Sequence, residues 1–214
     1  ILLVDVSGSQ HFGTHKQFKD ELVAEICATL SISAIRNNDK VGLICFSDRI
    51  EAYIPPRKGT KHVLRVIREL LALEPEGSGT NVAGALEFLN KVQKKRSIVF
   101  LVSDLQDRNW QRPLQIANRR HDVVAVRTDD TAEHELPNVG LLRIVDPETN
   151  RAKVIDTSSK KVRQAWKQLA AERTIAIEQT LRRCNVDEIH VQTGEPFTNV
   201  LRQFFRRREG KRTA

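Results

Sequence analysis

The sequence predicts an α/β fold: a doubly wound, mostly parallel sheet with an antiparallel edge strand and a C-terminal strand and helix extension. Three observations predict it. Short apolar runs, such as Ile98-Val99-Phe100-Leu101-Val102, alternate along the chain with stretches of helical period. That run has no polar interruption, as in strands covered on both faces. And 214 residues, 40% of them hydrophobic and 29% charged, suffice for one sizeable core.

The elements follow in order. Ile1–Val6, broken by Asp5, reads as a buried strand. Thr14-x-x-Gln17 fits a capping box for a helix running to about Arg36, with Phe18, Leu22, Ile26, Leu30 and Ile35 facing inward. Asn37-Asn38-Asp39 ends it. Val41–Ser47 is a second strand, and Ser47-Asp48 turns it back into an antiparallel edge strand, Arg49–Ile54, stopped by Pro55-Pro56. Helices are expected over Thr60–Leu73 and Asn81–Lys94, joined by a loop holding Pro75, Gly77 and Gly79. Ser97–Ser103 is a central strand, Pro113–Arg120 a helix and Val123–Val126 a strand. Val139–Val145 and Ala152–Ile155 read as a hairpin about Asp146–Asn150. A long helix, Ser158–Cys184, capped near Thr157 or Ser158, leads to strand Glu188–Val191 and helix Phe197–Arg208. The architecture is therefore Rossmann-like, with a core over residues 1–145 and an extension over 146–214 packed on the same sheet.

Composition excludes several classes. There is no run of about 18 apolar residues, so no membrane span is expected. Three cysteines (Cys27, Cys45 and Cys184) without a Cys-x-x-Cys pair argue against a disulfide framework or thiolate zinc, and fit the cytoplasm. No methionine occurs and the chain starts inside an apolar run, which reads as a piece lacking an upstream N-terminal segment. The net charge is +8, and residues 160–214 carry 13 Lys and Arg against six acids. The basic character therefore sits in the last quarter, densest at Arg202, Arg206, Arg207, Arg208, Lys211 and Arg212.

The chemistry points to one rim. Asp5-Val6-Ser7-Gly8-Ser9 ends the first strand, Gly79-Thr80-Asn81 opens a helix, and Ser103-Asp104 ends the central strand. Carboxyl ends of strands near the switch of strand order are where open α/β sheets bind ligands. Three hydroxyls and two carboxylates make an oxygen-only set, suited to a hard cation such as Mg²⁺, Mn²⁺ or Ca²⁺.

At this point the chain resembles the von Willebrand factor type A fold and its metal-ion-dependent adhesion site. The pattern Asp-x-Ser-x-Ser, then Thr, then Asp is filled by Asp5, Ser7, Ser9, Thr80 and Asp104. The resemblance implies that Ser7, Ser9 and Thr80 touch the metal. Asp5 and Asp104 would mostly hold its waters, and a partner carboxylate would complete the shell. A narrower resemblance covers nearly the whole chain. Phe12-Gly13-Thr14, Asp146-Pro147-Glu148-Thr149, Val154–Ser159 and Phe204–Arg208 look like the bacterial "domain of unknown function 58" proteins. These tend to accompany MoxR-type AAA+ ATPases, so the resemblance implies an adaptor for such an ATPase.

Other motifs carry less. Gly77-x-Gly79-x-x-Val82 lacks the third glycine of a dinucleotide loop, and no Walker A or Gly-x-Ser-x-Gly sequence is present. Ser158-x-x-Lys161 reads as a helix cap rather than a Ser–Lys pair. His11 and His15 flank Gly13 in a loop, not on one helix face. Trp166 reads as a core anchor, and Trp110 either as a rim contact or as a seat for its helix. The expectation is a cytoplasmic, metal-dependent interaction module that is not an enzyme. One alternative is a metal-assisted phosphoryl-transfer or hydrolytic enzyme with Asp5 as nucleophile. Another is electrostatic binding of an anionic polymer or membrane surface through the basic C-terminus. No specific nucleic acid is predicted.

Overall fold

Four consecutive residues, Leu2–Asp5, form β1, which is buried along its whole length. The structure is a computed structural model and describes residues 1–11, 13–14, 17–145 and 151–212. A 3₁₀ turn (Gly8–His11) follows β1, then β2 (Gly13–Thr14) and β3 (Gln17–Phe18), a two-stranded pair of their own. Next come α1 (Lys19–Arg36), β4 (Val41–Phe46), β5 (Ile50–Arg57), α2 (Thr60–Ala72) and α3 (Val82–Val92). After them lie β6 (Ile98–Ser103), α4 (Gln111–Arg120), β7 (Asp122–Asp129) and the short α5 (Thr131–His134). The chain continues through β8 (Leu141–Val145), β9 (Ala152–Asp156), α6 (Lys160–Arg183), β10 (Asp187–Gln192) and α7 (Phe197–Arg212).

Six strands make one sheet in the order β10-β7-β6-β1-β4-β5. All neighbours are parallel except β4 and β5. The order reverses between β1 and β6, whose register pairs Leu2 with Phe100 and Val4 with Val102. Alternation along the strands splits the core into two layers. Leu2, Val4, Leu43, Cys45, Val124 and Val126 face α1, α2 and α7, meeting Leu22, Ile26, Val63 and Leu201. Leu3, Ile44, Leu101 and Ala125 face α3, α4 and α6, meeting Leu86, Leu114 and Leu181. This is the Rossmann-like, mostly parallel sheet that the sequence predicts.

Several local expectations are corrected. α1 begins at Lys19, and Glu21 accepts the Phe18 N–H at 3.3 Å. Phe18 is exposed rather than inward. The edge strand continues through Pro55 and Pro56 to Arg57. An edge strand tolerates proline because one side of its backbone needs no partner. β7 runs from Asp122 to Asp129, longer at both ends than expected. Among the described residues β8 and β9 pair only with each other, so of the C-terminal strands it is β10 that joins the main sheet, beside β7. The turn of that hairpin, Asp146–Asn150, and His15 lie outside the described residues. α6 starts at Lys160 after Ser159. Asn38 and Asn185 take positive φ just past α1 and α6, the left-handed stop that asparagine tolerates.

Candidate functional site

The rim is built by local turns. Asp5 ends β1, and its Oδ1 accepts the Ser7 N–H at 3.0 Å, the short-range bond that bends the chain out of the strand. This turn brings the Ser7 and Ser9 hydroxyls to 3.1 Å of each other. Ser103, at the end of β6, donates its hydroxyl to Asp5 Oδ2 at 2.6 Å, bridging the two strands at the reversal point. The Thr80 loop is drawn in by backbone bonds. Gly8 N–H donates to Ser78 O at 3.0 Å, and Asn81 N–H donates to Ser47 O at 2.8 Å. Glu51 accepts the Gly77 N–H at 2.9 Å, and a Cβ on Gly77 would collide with Ser47 Oγ and Asp48 Oδ1. Asp107 Oδ2 accepts the Val82 N–H at 2.9 Å, tying the start of α3 to the loop after Asp104.

Electrostatics at the rim are uneven. Asp5 is 1% exposed, and among the described residues its hydrogen-bond partners are hydroxyl and amide groups, not a cation. Burial, followed by the neighbouring Asp104 carboxylate, pushes Asp5 up to about 7. Asp104 is treated differently. Lys19, itself 1% exposed, places Nζ 3.1 Å from Asp104 Oδ2 and 2.8 Å from Glu133 Oε1. Burial alone would lower the Lys19 ammonium, but the two carboxylates outweigh it and hold it above the ordinary lysine range. Burial raises Glu133, with Lys19 opposing.

The structure thus brings Asp5, Ser7 and Ser9 into one turn, sets Asp104 beside Asp5, and packs the Thr80 loop against that turn. A divalent cation fits this set on two counts. The donors are oxygens, which hard cations prefer. A buried carboxylate without a cationic neighbour is also a costly arrangement that a cation relieves. Sequence reasoning missed Lys19, Glu133 and Ser103. Only Ser103 left a signal, as the residue before Asp104 at a strand end.

Other candidates resolve simply. Trp110 is buried and donates Nε1–H to Asp107 O at 3.0 Å, so it seats its helix. Trp166 is half-buried and donates to Glu133 O at 3.0 Å, which ties α6 to α5 rather than anchoring the core. Ser158 donates to Asp156, a turn bond at 2.5 Å. Cys27, Cys45 and Cys184 are buried free thiols. In α7, Leu201 and Phe204 point inward, whereas Phe205 is 38% exposed and meets Phe100 edge-on. Arg208 pairs with Asp122 and Asp187 and lies over Phe204, so this part of the basic tail holds α7 to the sheet. Among the described residues, no helix is long and apolar enough to cross a membrane.

A doubly wound, mostly parallel sheet with helices on both faces defines a Rossmann-like α/β class. Within it, residues 1–176 match the family described as "Protein of unknown function DUF58", and the chain belongs to that family. It is similar to the uncharacterised protein Rv1480 of Mycobacterium tuberculosis, 26% identical over 215 residues, covering 98% of this chain and 67% of that one. A second relative, an uncharacterised protein of Mycobacterium avium, is 27% identical over 161 residues, covering 73% of this chain and 95% of that one. Two solved structures share the fold. BatB from Bacteroides thetaiotaomicron has a TM-score of 0.58 at 16% identity, covering 89% of this chain and 88% of that one. An aerotolerance-related membrane protein from Bacteroides fragilis has a TM-score of 0.59 at 15% identity, covering 90% of each.

Proposed function

We propose that the chain is a divalent-cation-dependent protein-interaction module of von Willebrand A type. Its adhesion-type site comprises Asp5, Ser7, Ser9, Thr80 and Asp104 and takes Mg²⁺, with Mn²⁺ or Ca²⁺ as substitutes. The observation that carries this reading is Asp5: a buried acid that has no cationic partner among the described residues, beside paired hydroxyls at the reversal point of the sheet. Ser7, Ser9 and Thr80 would hold the cation, with Asp5 and Asp104 supporting it. When bound, the ion supplies a Lewis-acidic position for a partner's Asp or Glu carboxylate. The family resemblance further suggests that the partner is, or works with, a MoxR-type AAA+ ATPase. Three unpaired buried thiols suit a cytoplasmic setting.

Calorimetric titration of Mn²⁺ into chelator-treated protein, beside Ser7→Ala and Asp104→Ala, tests the site. Heat in the wild type that both variants lose is expected, and equal heats in all three contradict the reading. A pull-down from the source cell with and without chelator then identifies the partner. A metal-assisted hydrolase would instead need Asp5 as nucleophile. Phosphatase turnover abolished by Asp5→Asn would replace our reading with that one.

A further inference from the structure

The loop that leaves Asp104 opens into a cleft of about 1190 Å³ between α4 and α6. Four arginines line it: Arg108 on the loop, Arg112 and Arg119 on α4, and Arg173 on α6. All four are exposed. Among the described residues, Arg108, Arg112 and Arg119 have no carboxylate partner, and Arg173 donates to the neutral Gln106 side chain at 2.9 Å. The one acid lining the cleft, Asp107, is occupied by the backbone N–H groups of Val82 and Arg108. Four guanidinium groups against one carboxylate leave the cleft net cationic, a field that draws in an anionic partner.

The cleft is continuous with the rim. Arg173 holds Gln106 Oε1, Gln106 Nε2 donates to Glu133 Oε2 at 2.9 Å, and Glu133 Oε1 accepts from Lys19, which holds Asp104. One hydrogen-bonded line thus runs from the cleft to a carboxylate of the proposed metal site. Arg112 and Arg119 are two helical turns apart on one face of α4, about 10 Å, which an extended chain spans in about three residues.

We propose that this cleft is the docking groove for an acidic, extended segment of the protein partner. The inference rests on the interaction reading for the class of its occupant, and on the charge and position of the cleft for the rest. A single-stranded nucleic acid suits the cleft less well. Such grooves offer exposed aromatic rings for base stacking. The one aromatic residue lining this cleft is Trp110, which is 5% exposed.

The test uses a fluorescently labelled peptide with glutamate at every second position, and its glutamine counterpart, read by anisotropy at low salt in chelator. The glutamate peptide should bind and the glutamine peptide should not. The double variant Arg112→Glu/Arg119→Glu should lose about tenfold in affinity, while its circular dichroism stays that of the wild type. Because the assay is run in chelator, with no cation at the rim, its outcome is separate from any failure of the metal site. Absence of binding, or equal binding by the double variant, overturns the proposal. So does an oligonucleotide that displaces the peptide at lower concentration with the same arginine dependence.

Discussion

Lys19 Nζ lies 3.1 Å from Asp104 Oδ2 with both side chains almost fully enclosed, at 1% and 2% exposure. The rim carboxylate at the end of β6 thus carries its own cation, whereas Asp5, one strand over, is held among the described residues by hydroxyl and amide donors alone. This asymmetry gives the two acids different parts. Asp104 is fixed in place by charge, and Asp5 is the acid that an added cation would relieve.

Lys19→Met should therefore destabilise the chelator-treated protein by about 3–5 kcal/mol, because Asp104 and Glu133 are left buried without their shared counter-charge. Urea unfolding reads the loss. Saturating Mn²⁺ should raise the midpoint of the variant more than that of the wild type, because the cation replaces part of the missing charge. An equal rise in both would show that Lys19 and the cation do not share a field.

Gly77→Ala should weaken Mn²⁺ binding while leaving most of the unfolding free energy intact. The new Cβ meets Ser47 Oγ and Asp48 Oδ1 and displaces the loop whose Gly77 N–H is held by Glu51 and which leads into Thr80. Unchanged calorimetric affinity would mean that the loop's position is irrelevant to the site.

Asn81 caps α3 by accepting the Gly84 N–H at 2.8 Å. Asn81→Ala should cost about 1 kcal/mol in thermal or urea unfolding, the usual value of an N-cap side chain.

Acid stability should depend on Asp129. Burial raises its pKa, but hydrogen bonds from His190 and His134 and the Arg127 guanidinium outweigh this and bring it down to about 2. A carboxylate depressed in the folded state stabilises above its unfolded pKa, and that contribution is lost as pH falls through the folded value. The wild type should thus lose about 2 kcal/mol between pH ~4 and ~2 that Asp129→Asn does not lose over the same window. Parallel stability profiles for the two proteins would contradict the assignment.

How much of this was legible in the sequence follows from the range of each interaction. The strands around Asp5 and Asp104 were readable because continuous apolar runs mark strands covered on both faces, and the strand ends follow directly. Pro55-Pro56 was misread as a stop because two prolines in a row were weighed as a breaker, although on the edge strand that the sequence predicts their missing N–H groups are harmless. α5 escaped because Thr131–His134 is too short to show a period. Lys19 escaped for a different reason. A lysine in the first turn of an amphipathic helix reads as solvated, and its partners lie 85 and 114 residues further along the chain. Phe18 erred the other way, being apolar yet left outside where the chain turns into α1.

The most direct measurement is a crystal grown in manganese and recorded at a wavelength where that ion scatters anomalously. A single anomalous peak bounded by the Ser7, Ser9 and Thr80 hydroxyls, with Asp5 and Asp104 around it, is the predicted result. Density with no peak there, and the Thr80 hydroxyl turned away from those of Ser7 and Ser9, would contradict the account.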